Sequence, residues 1–167
     1  FGIWCIMASP LWITYDIFNP TITNAVQGLV TNAEAVAINQ DPLGAMAVRI
    51  DGASASPHGL DRRLPGTCGA GGIAGLYPNG EQLARPLANG DTAVLVFNRL
   101  ADRNVSITLT FTDLGDTTVT CFTVRDVWSY TDVGFFEGSF VAPDVPPHGS
   151  RFLRLTPAMN NAQCHTA

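Results

Sequence analysis

From residue 105 the chain reads Val-Ser-Ile-Thr-Leu-Thr-Phe. Val105, Ile107, Leu109 and Phe111 alternate with Ser106, Thr108 and Thr110. A period of two places all four apolar side chains on one face of a β-strand, which no helix can do. Such a face must be covered by a second layer, so this stretch commits the chain to a packed sheet. Further β-rich runs flank it, at 92–97, 119–128, 140–142 and 151–155. Asn89-Gly90, ahead of the first run, is a strong hairpin signal. Leu114-Gly115, Val133-Gly134 and Pro146-Pro147-His148-Gly149 supply turn signals between the others. Strands at this spacing predict an antiparallel β-sandwich over residues 81–157.

Residues 1–44 obey a different grammar. The opening FGIWCIMAS reads as the end of a buried helix, stopped by Pro10, whose ring clashes with the preceding turn. The run 11–14 suits a buried parallel strand, and Asp16 follows it directly. Thr31 and Glu34 have capping-box spacing, which predicts a short helix over 33–39, ended by Asp41-Pro42 and Gly44. Strand then helix is the pattern of an α/β layer. Residues 45–80 are a Gly/Pro-rich linker, and 158–167 form a tail. A phosphate-binding loop at 66–75 would need a lysine and a preceding strand, and has neither.

Composition closes several doors. The chain has 167 residues, a hydrophobic share of 46% and a net charge of -5. That balance suits a folded core and argues against a nucleic-acid partner. The nine basic residues are all arginine, so no lysine is available for a Schiff base. The apolar opening lacks a basic residue before Arg49, unlike a signal peptide, and Asp16 interrupts it too early for a membrane span. It reads as a piece of a larger core, and a start at Phe1 fits a fragment. Left uncovered, Trp4, Ile6, Met7, Leu11, Trp12, Ile13 and Phe18 would make a large apolar patch.

The chemistry-bearing residues are scattered. Asp126, Asp132, Glu137 and Asp144 fall on or between predicted strands, and their expected place is a solvated turn or surface. Asp16 alone would sit at the mouth of a barrel-type strand, where such folds keep their active sites, and is the candidate substrate-binding residue. A structural role is its bland alternative. His58, His148 and His165 have no local metal-site spacing. No metal site and no cofactor is expected. Cys5, Cys68, Cys121 and Cys164 allow three pairings, and the apolar surroundings of Cys5 and Cys121 favour buried free thiols. Asn104-Val105-Ser106 is an N-glycosylation sequon at a strand start.

Three blocks in order carry more than spacing. WCIMASPL with TNAEAVAINQDPLG, then RPLANGDTAVLVFNR, then VRDVWSYTDVGFFEGSFVAPDVPPHGSRFLRLTP, resemble the closing third of glycoside hydrolase family 27, the α-galactosidases. The resemblance covers the chain except about 48–80 and the residues after Pro157. It implies an α+β, mainly β, piece: the last strand and helix of a (β/α)₈ barrel (1–44), then a C-terminal antiparallel β-sandwich (81–157). A whole barrel needs ~250 residues. The family's retaining mechanism uses two aspartates about 5–5.5 Å apart. Both lie on earlier barrel strands in the family, so no catalytic residue is assigned here and the chain alone is expected to be inactive. The implied substrate is an α-galactoside of an oligosaccharide or glycoconjugate, with α-N-acetylgalactosaminide and β-L-arabinopyranoside as related specificities. The implied location is secreted, extracellular, lysosomal or vacuolar. The competing class is a non-catalytic sugar-binding or packing module, which would use Trp128, Tyr130 and Phe135.

Overall fold

The computed structural model describes residues 1–50, 80–115 and 118–158. Residues 51–79 of the expected linker, with Cys68 and His58, lie outside them, as do residues 159–167, with Cys164 and His165; residues 48–49, expected as linker, instead form a strand at the sheet edge. Three helices come first: α1 (Gly2–Ile6), α2 (Pro20–Val30) and α3 (Ala33–Asn39). Eight strands follow: β1 (Val48–Arg49), β2 (Glu81–Pro86), β3 (Thr92–Phe97), β4 (Val105–Thr110), β5 (Cys121–Asp126), β6 (Thr131–Glu137), β7 (Ser139–Val145) and β8 (Ser150–Pro157). Six form an antiparallel sheet in the order β1-β2-β3-β8-β5-β6, and β4 pairs with β7 in a second sheet.

The two sheets face each other over one core. Val94, Val96, Val124, Leu153 and Leu155 of the large sheet meet Ile107, Leu109, Phe140 and Ala142 of the small one. The alternation of β4 is realised as read: Ile107 and Leu109 are buried, and Ser106, Thr108 and Thr110 are exposed. Phe111 stays in the core but opens a 3₁₀ turn rather than extending the strand. The apolar run of β3 has a different cause. Its residues alternate between two cores, with Ala93 and Leu95 facing α1 and α3. A central strand buried on both faces loses its polar positions and reads as continuous apolar sequence.

Four expectations need correction. Residues 11–14, expected as a parallel strand, carry no regular secondary structure. Among the described residues no strand lies beside them, and a strand without a neighbour leaves its backbone groups unpaired. The cap of α3 is Asn32 rather than Thr31: the Asn32 Oδ1 accepts from Ala35 N at 2.9 Å. Glu34 does not reach back; it bonds Arg125 on β5. Val133-Gly134 is no turn but the middle of β6, where Gly134 opposes Val124 at a register shift. Helix α2 was not foreseen, although Asn19-Pro20 is a proper start: the Asn19 side chain accepts from Thr21 N and Ile22 N, with proline in the first turn.

Candidate functional site

The densest polar construction in the described residues lies where α1 and α3 meet the large sheet. Its parts come from far apart in sequence. Asn32 caps α3 with its oxygen, and its Nδ2 donates to Val127 O at 2.9 Å in the β5–β6 connection. The Tyr130 hydroxyl of that connection accepts from Ala33 N at 3.0 Å. Tyr130 holds a left-handed backbone, φ 58°. Arg125 donates through Nε and Nη2 to both oxygens of Glu34 at 2.7–3.0 Å, and through Nη1 to Asp132 at 2.8 Å. The Glu34 hydrogen bonds first, then those of Asp132, raise the Arg125 pKa above its ordinary value. Its charge is therefore permanent.

On the other flank, three residues of the AINQDPLG block carry the bonds. The Asn39 Nδ2 donates to the carbonyls of Trp4 and Ser9 at 3.2 and 2.9 Å, fixing the turn after α1. Gln40 donates to the Asn39 oxygen. The Asp41 carboxylate accepts from Leu43 N, and both of its oxygens accept from Ala88 N in the β2–β3 connection. Arg85, fully buried, directs Nη1 at the carbonyls of Cys5 and Ile6 that end α1. A cation at a helix C-terminus meets the negative end of its dipole. Cys5 beside it is free and buried, and burial pushes its thiol up to about 11. The blocks that carry the family resemblance are thus the two halves of a clasp between helices and sheet.

The carboxylates of this clasp are engaged by arginine or backbone donors: Glu34 by Arg125, and Asp41 by Leu43 N and Ala88 N. Asp126 corrects the expectation of a surface residue. It is buried, and its Oδ1 accepts from Trp128 N and Ser129 N at 2.9 and 3.2 Å, shaping the β5–β6 turn. Asp132, Glu137 and Asp144 are exposed, as expected. Asp16 is exposed before α2, and its Oδ1 accepts from Phe18 N at 3.0 Å. Asn104 is exposed immediately before β4. Cys121 is not a free thiol but disulfide-bonded, with the other half outside the described residues. Among the described residues no three His, Cys, Asp or Glu side chains gather as a metal site, and no helix is long and apolar enough to cross a membrane. Trp128 packs on Phe152 with ring centroids 5.3 Å apart, and the Tyr130 hydroxyl is taken by α3, which leaves Phe135 the one exposed, unengaged member of the three aromatics.

A second surface is apolar. Trp12 and Phe18 are 76% and 88% exposed, and Ile13 and Ile17 more than half. The two aromatics alone leave on the order of 300 Å² of ring surface in water. A cleft of about 200 Å³ opens here between Trp4, Trp12, Tyr15 and Val30. Helix α2 buries none of its 11 residues.

Residues 79–155 match the family model for the α-galactosidase C-terminal β-sandwich domain. The likeness runs beyond that domain. A Dictyostelium discoideum protein named "Probable alpha-galactosidase" is 29% identical over 159 residues, covering 94% of this chain and 34% of its own length. Residues 79–155 form an α-galactosidase C-terminal β-sandwich domain, and the likeness over the rest of the chain is to the closing part of the same enzymes. An α-galactosidase of Cyamopsis tetragonoloba is 26% identical over 157 residues, covering 94% of this chain and 31% of its own length. The crystal structure of α-galactosidase I from Mortierella vinacea superposes with a TM-score of 0.69 at 27% identity, over 93% of this chain and 34% of that one. A family 27 β-L-arabinopyranosidase from Geobacillus stearothermophilus gives the same TM-score at 19% identity, over 96% and 29%, and shares the fold. The chain spans about a third of the length of the curated relatives it matches.

Most of the clasp escaped sequence reading. Glu34 and Arg125 are 91 residues apart, and no local signal joins them. Asp126 was readable in part, because an aspartate that accepts from amides two and three residues ahead is a turn former.

Proposed function

We propose that this chain is the C-terminal part of a retaining glycosidase that releases terminal α-galactose from oligosaccharides or glycoconjugates. Its own task is to close and brace a catalytic barrel whose two carboxylates lie outside it. The observation that supports this most is the uncovered apolar face of residues 12–30 beside the clasp. Helix α2 has 11 residues and no buried side chain. Isolated helices of that length are marginal in water, so α2 and the Trp12–Phe18 surface call for a covering layer. Relatives about three times as long supply the natural candidate: the rest of a (β/α)₈ barrel. Asp16 would then stand at the barrel mouth, within reach of a bound glycoside.

The test joins the chain to a family 27 catalytic part and assays chromogenic α-galactoside, α-N-acetylgalactosaminide and β-L-arabinopyranoside side by side. The expected result is saturable turnover of the α-galactoside by the joined protein and none by the chain alone. Turnover by the chain alone would show that it carries its own carboxylate pair and overturn the reading. Preference for another glycoside would move the specificity and keep the mechanism.

A further inference from the structure

We propose that Asn104 carries an N-linked glycan, added as the protein passes through a glycosylating secretory pathway, and that the glycan guards the open edge of β4. The sequence holds two Asn-x-Ser/Thr triplets, Asn19-Pro20-Thr21 and Asn104-Val105-Ser106. They differ in each property that the reaction needs. The first has proline in the middle position, which excludes it as an acceptor. Its Asn19 side chain is also engaged, capping α2 through Thr21 N and Ile22 N. The second has valine in the middle. Asn104 is exposed, and among the described residues its amide has no hydrogen-bond partner.

The geometry around it fits transfer. Asn104 ends the loop after Asn98, and Val105 begins β4, so the triplet enters an extended strand. Ser106 is exposed on the outward face, and its Oγ accepts from Asp144 N at 3.4 Å while its proton stays free to be donated. In the reaction the Asn104 Nδ2 attacks the anomeric carbon of a polyprenyl-diphosphate-linked oligosaccharide. The C1–N bond forms, the C1–O bond to phosphate breaks, the diphosphate leaves with the electron pair, and the amide gives up one proton to a base of the transferase.

The placement also answers a structural need. Among the described residues β4 pairs with β7 alone, so no strand lies along its other edge, and the Gln82 side chain bonds the Thr108 carbonyl at 3.0 Å. Open strand edges template pairing with other chains unless something blocks them. A sugar tree at the first residue before the strand is a bulky, hydrated block that leaves the inward face, Ile107 and Leu109, untouched.

The experiment is peptide mapping of the full-length protein secreted by a glycosylating eukaryotic host, deglycosylated enzymatically in ¹⁸O-labelled water. The expected result is conversion of Asn104 to labelled aspartate and no label at Asn19. S106A abolishes the label, and S106T, which keeps the hydroxyl, retains it. Unmodified Asn104 in wild-type secreted protein overturns the proposal, as does a label that survives S106A. Because the wild-type protein itself gives the decisive readout, a variant that fails to fold leaves the test intact. Activity on an α-galactoside, measured on the same sample, separates this outcome from the fate of the proposed function.

Discussion

Asn32 offers a clean test of the clasp, because one side chain performs two separable jobs. It is 2% exposed. Its oxygen caps α3 through Ala35 N, and its Nδ2 satisfies the Val127 carbonyl in the β5–β6 connection, each at 2.9 Å. Truncation in Asn32→Ala removes a cap worth about 1 kcal/mol. It also strands a carbonyl in a dry place, at about 1–3 kcal/mol. The sum is about 2–4 kcal/mol, or a drop of roughly 5–15 °C in Tm for a chain of this size. Asn32→Asp keeps the capping acceptor and adds a negative charge at the helix N-terminus, a favourable place for it. It loses the donor and sets a carboxylate against the Val127 carbonyl. If the bond to Val127 matters, N32D is at least as damaging as N32A, even though it is the better cap. Thermal and urea unfolding, with hydrogen exchange of the amides of residues 127–130 as the local readout, distinguishes the two jobs. An N32D protein as stable as wild type, with the β5–β6 connection still protected, would refute the reasoning and reduce the site to an ordinary helix cap.

Three further outcomes concern Cys5, Gly80 and the apolar face. Cys5 is protonated when folded to higher pH than when unfolded, since burial raises its pKa from 9.0 to about 11. Its contribution is therefore fully present below about pH 9 and is lost as pH rises through 11, up to about 2–3 kcal/mol in all; Cys5→Ala should flatten that part of the stability–pH curve, and native Cys5 should resist thiol reagents at pH 8. At Gly80, φ is 81° and an added Cβ would lie 2.5 Å from the Ile107 Cδ1 and 3.0 Å from the Phe97 carbonyl; Gly80→Ala should cost about 2–4 kcal/mol by urea unfolding, from overpacking and left-handed strain together. Replacing the exposed Trp12 and Phe18 by serine should sharply raise the solubility of the chain alone without lowering its Tm, and unchanged aggregation in light scattering would argue against the apolar face as the cause.

What could be read from the residues, and what could not, divides by the distance of the partners. The strand at 105–110 announced itself because both of its faces are settled by one neighbouring sheet, so the period of two survives in the sequence. The hairpin at Asn89-Gly90 was legible for a local reason as well: Gly90 takes φ 88°, which favours glycine. β6 was hidden by its own glycine. Gly134 looks like a turn residue, yet its φ of 135° serves a register shift opposite Val124 and Arg125, and only the partner strand reveals that. The cap of α3 slipped by one residue because Thr31 and Glu34 have the right spacing, while Asn32 wins by bonding at both ends and Glu34 is drawn off by Arg125.

The same division explains why family resemblance outran local chemistry in this chain. The blocks that identified the family hold no catalytic pair that spacing could expose. What they hold is Asn39, which fixes the turn after α1, Asp41, which holds the β2–β3 connection, Arg125, which pairs with Glu34, Tyr130, which bonds the start of α3, and Asp126, which shapes the β5–β6 turn. Such contacts demand exact donors and acceptors, because a buried partner left unpaired costs more than the bond contributes. They tolerate little substitution even where no substrate is touched. A signature of this kind therefore marks how two layers are locked together, and Asn32, at the centre of that lock, is where the claim is most exposed to experiment: the aspartate variant, isosteric and better as a cap, fails if the layers are truly joined through it and succeeds if they are not.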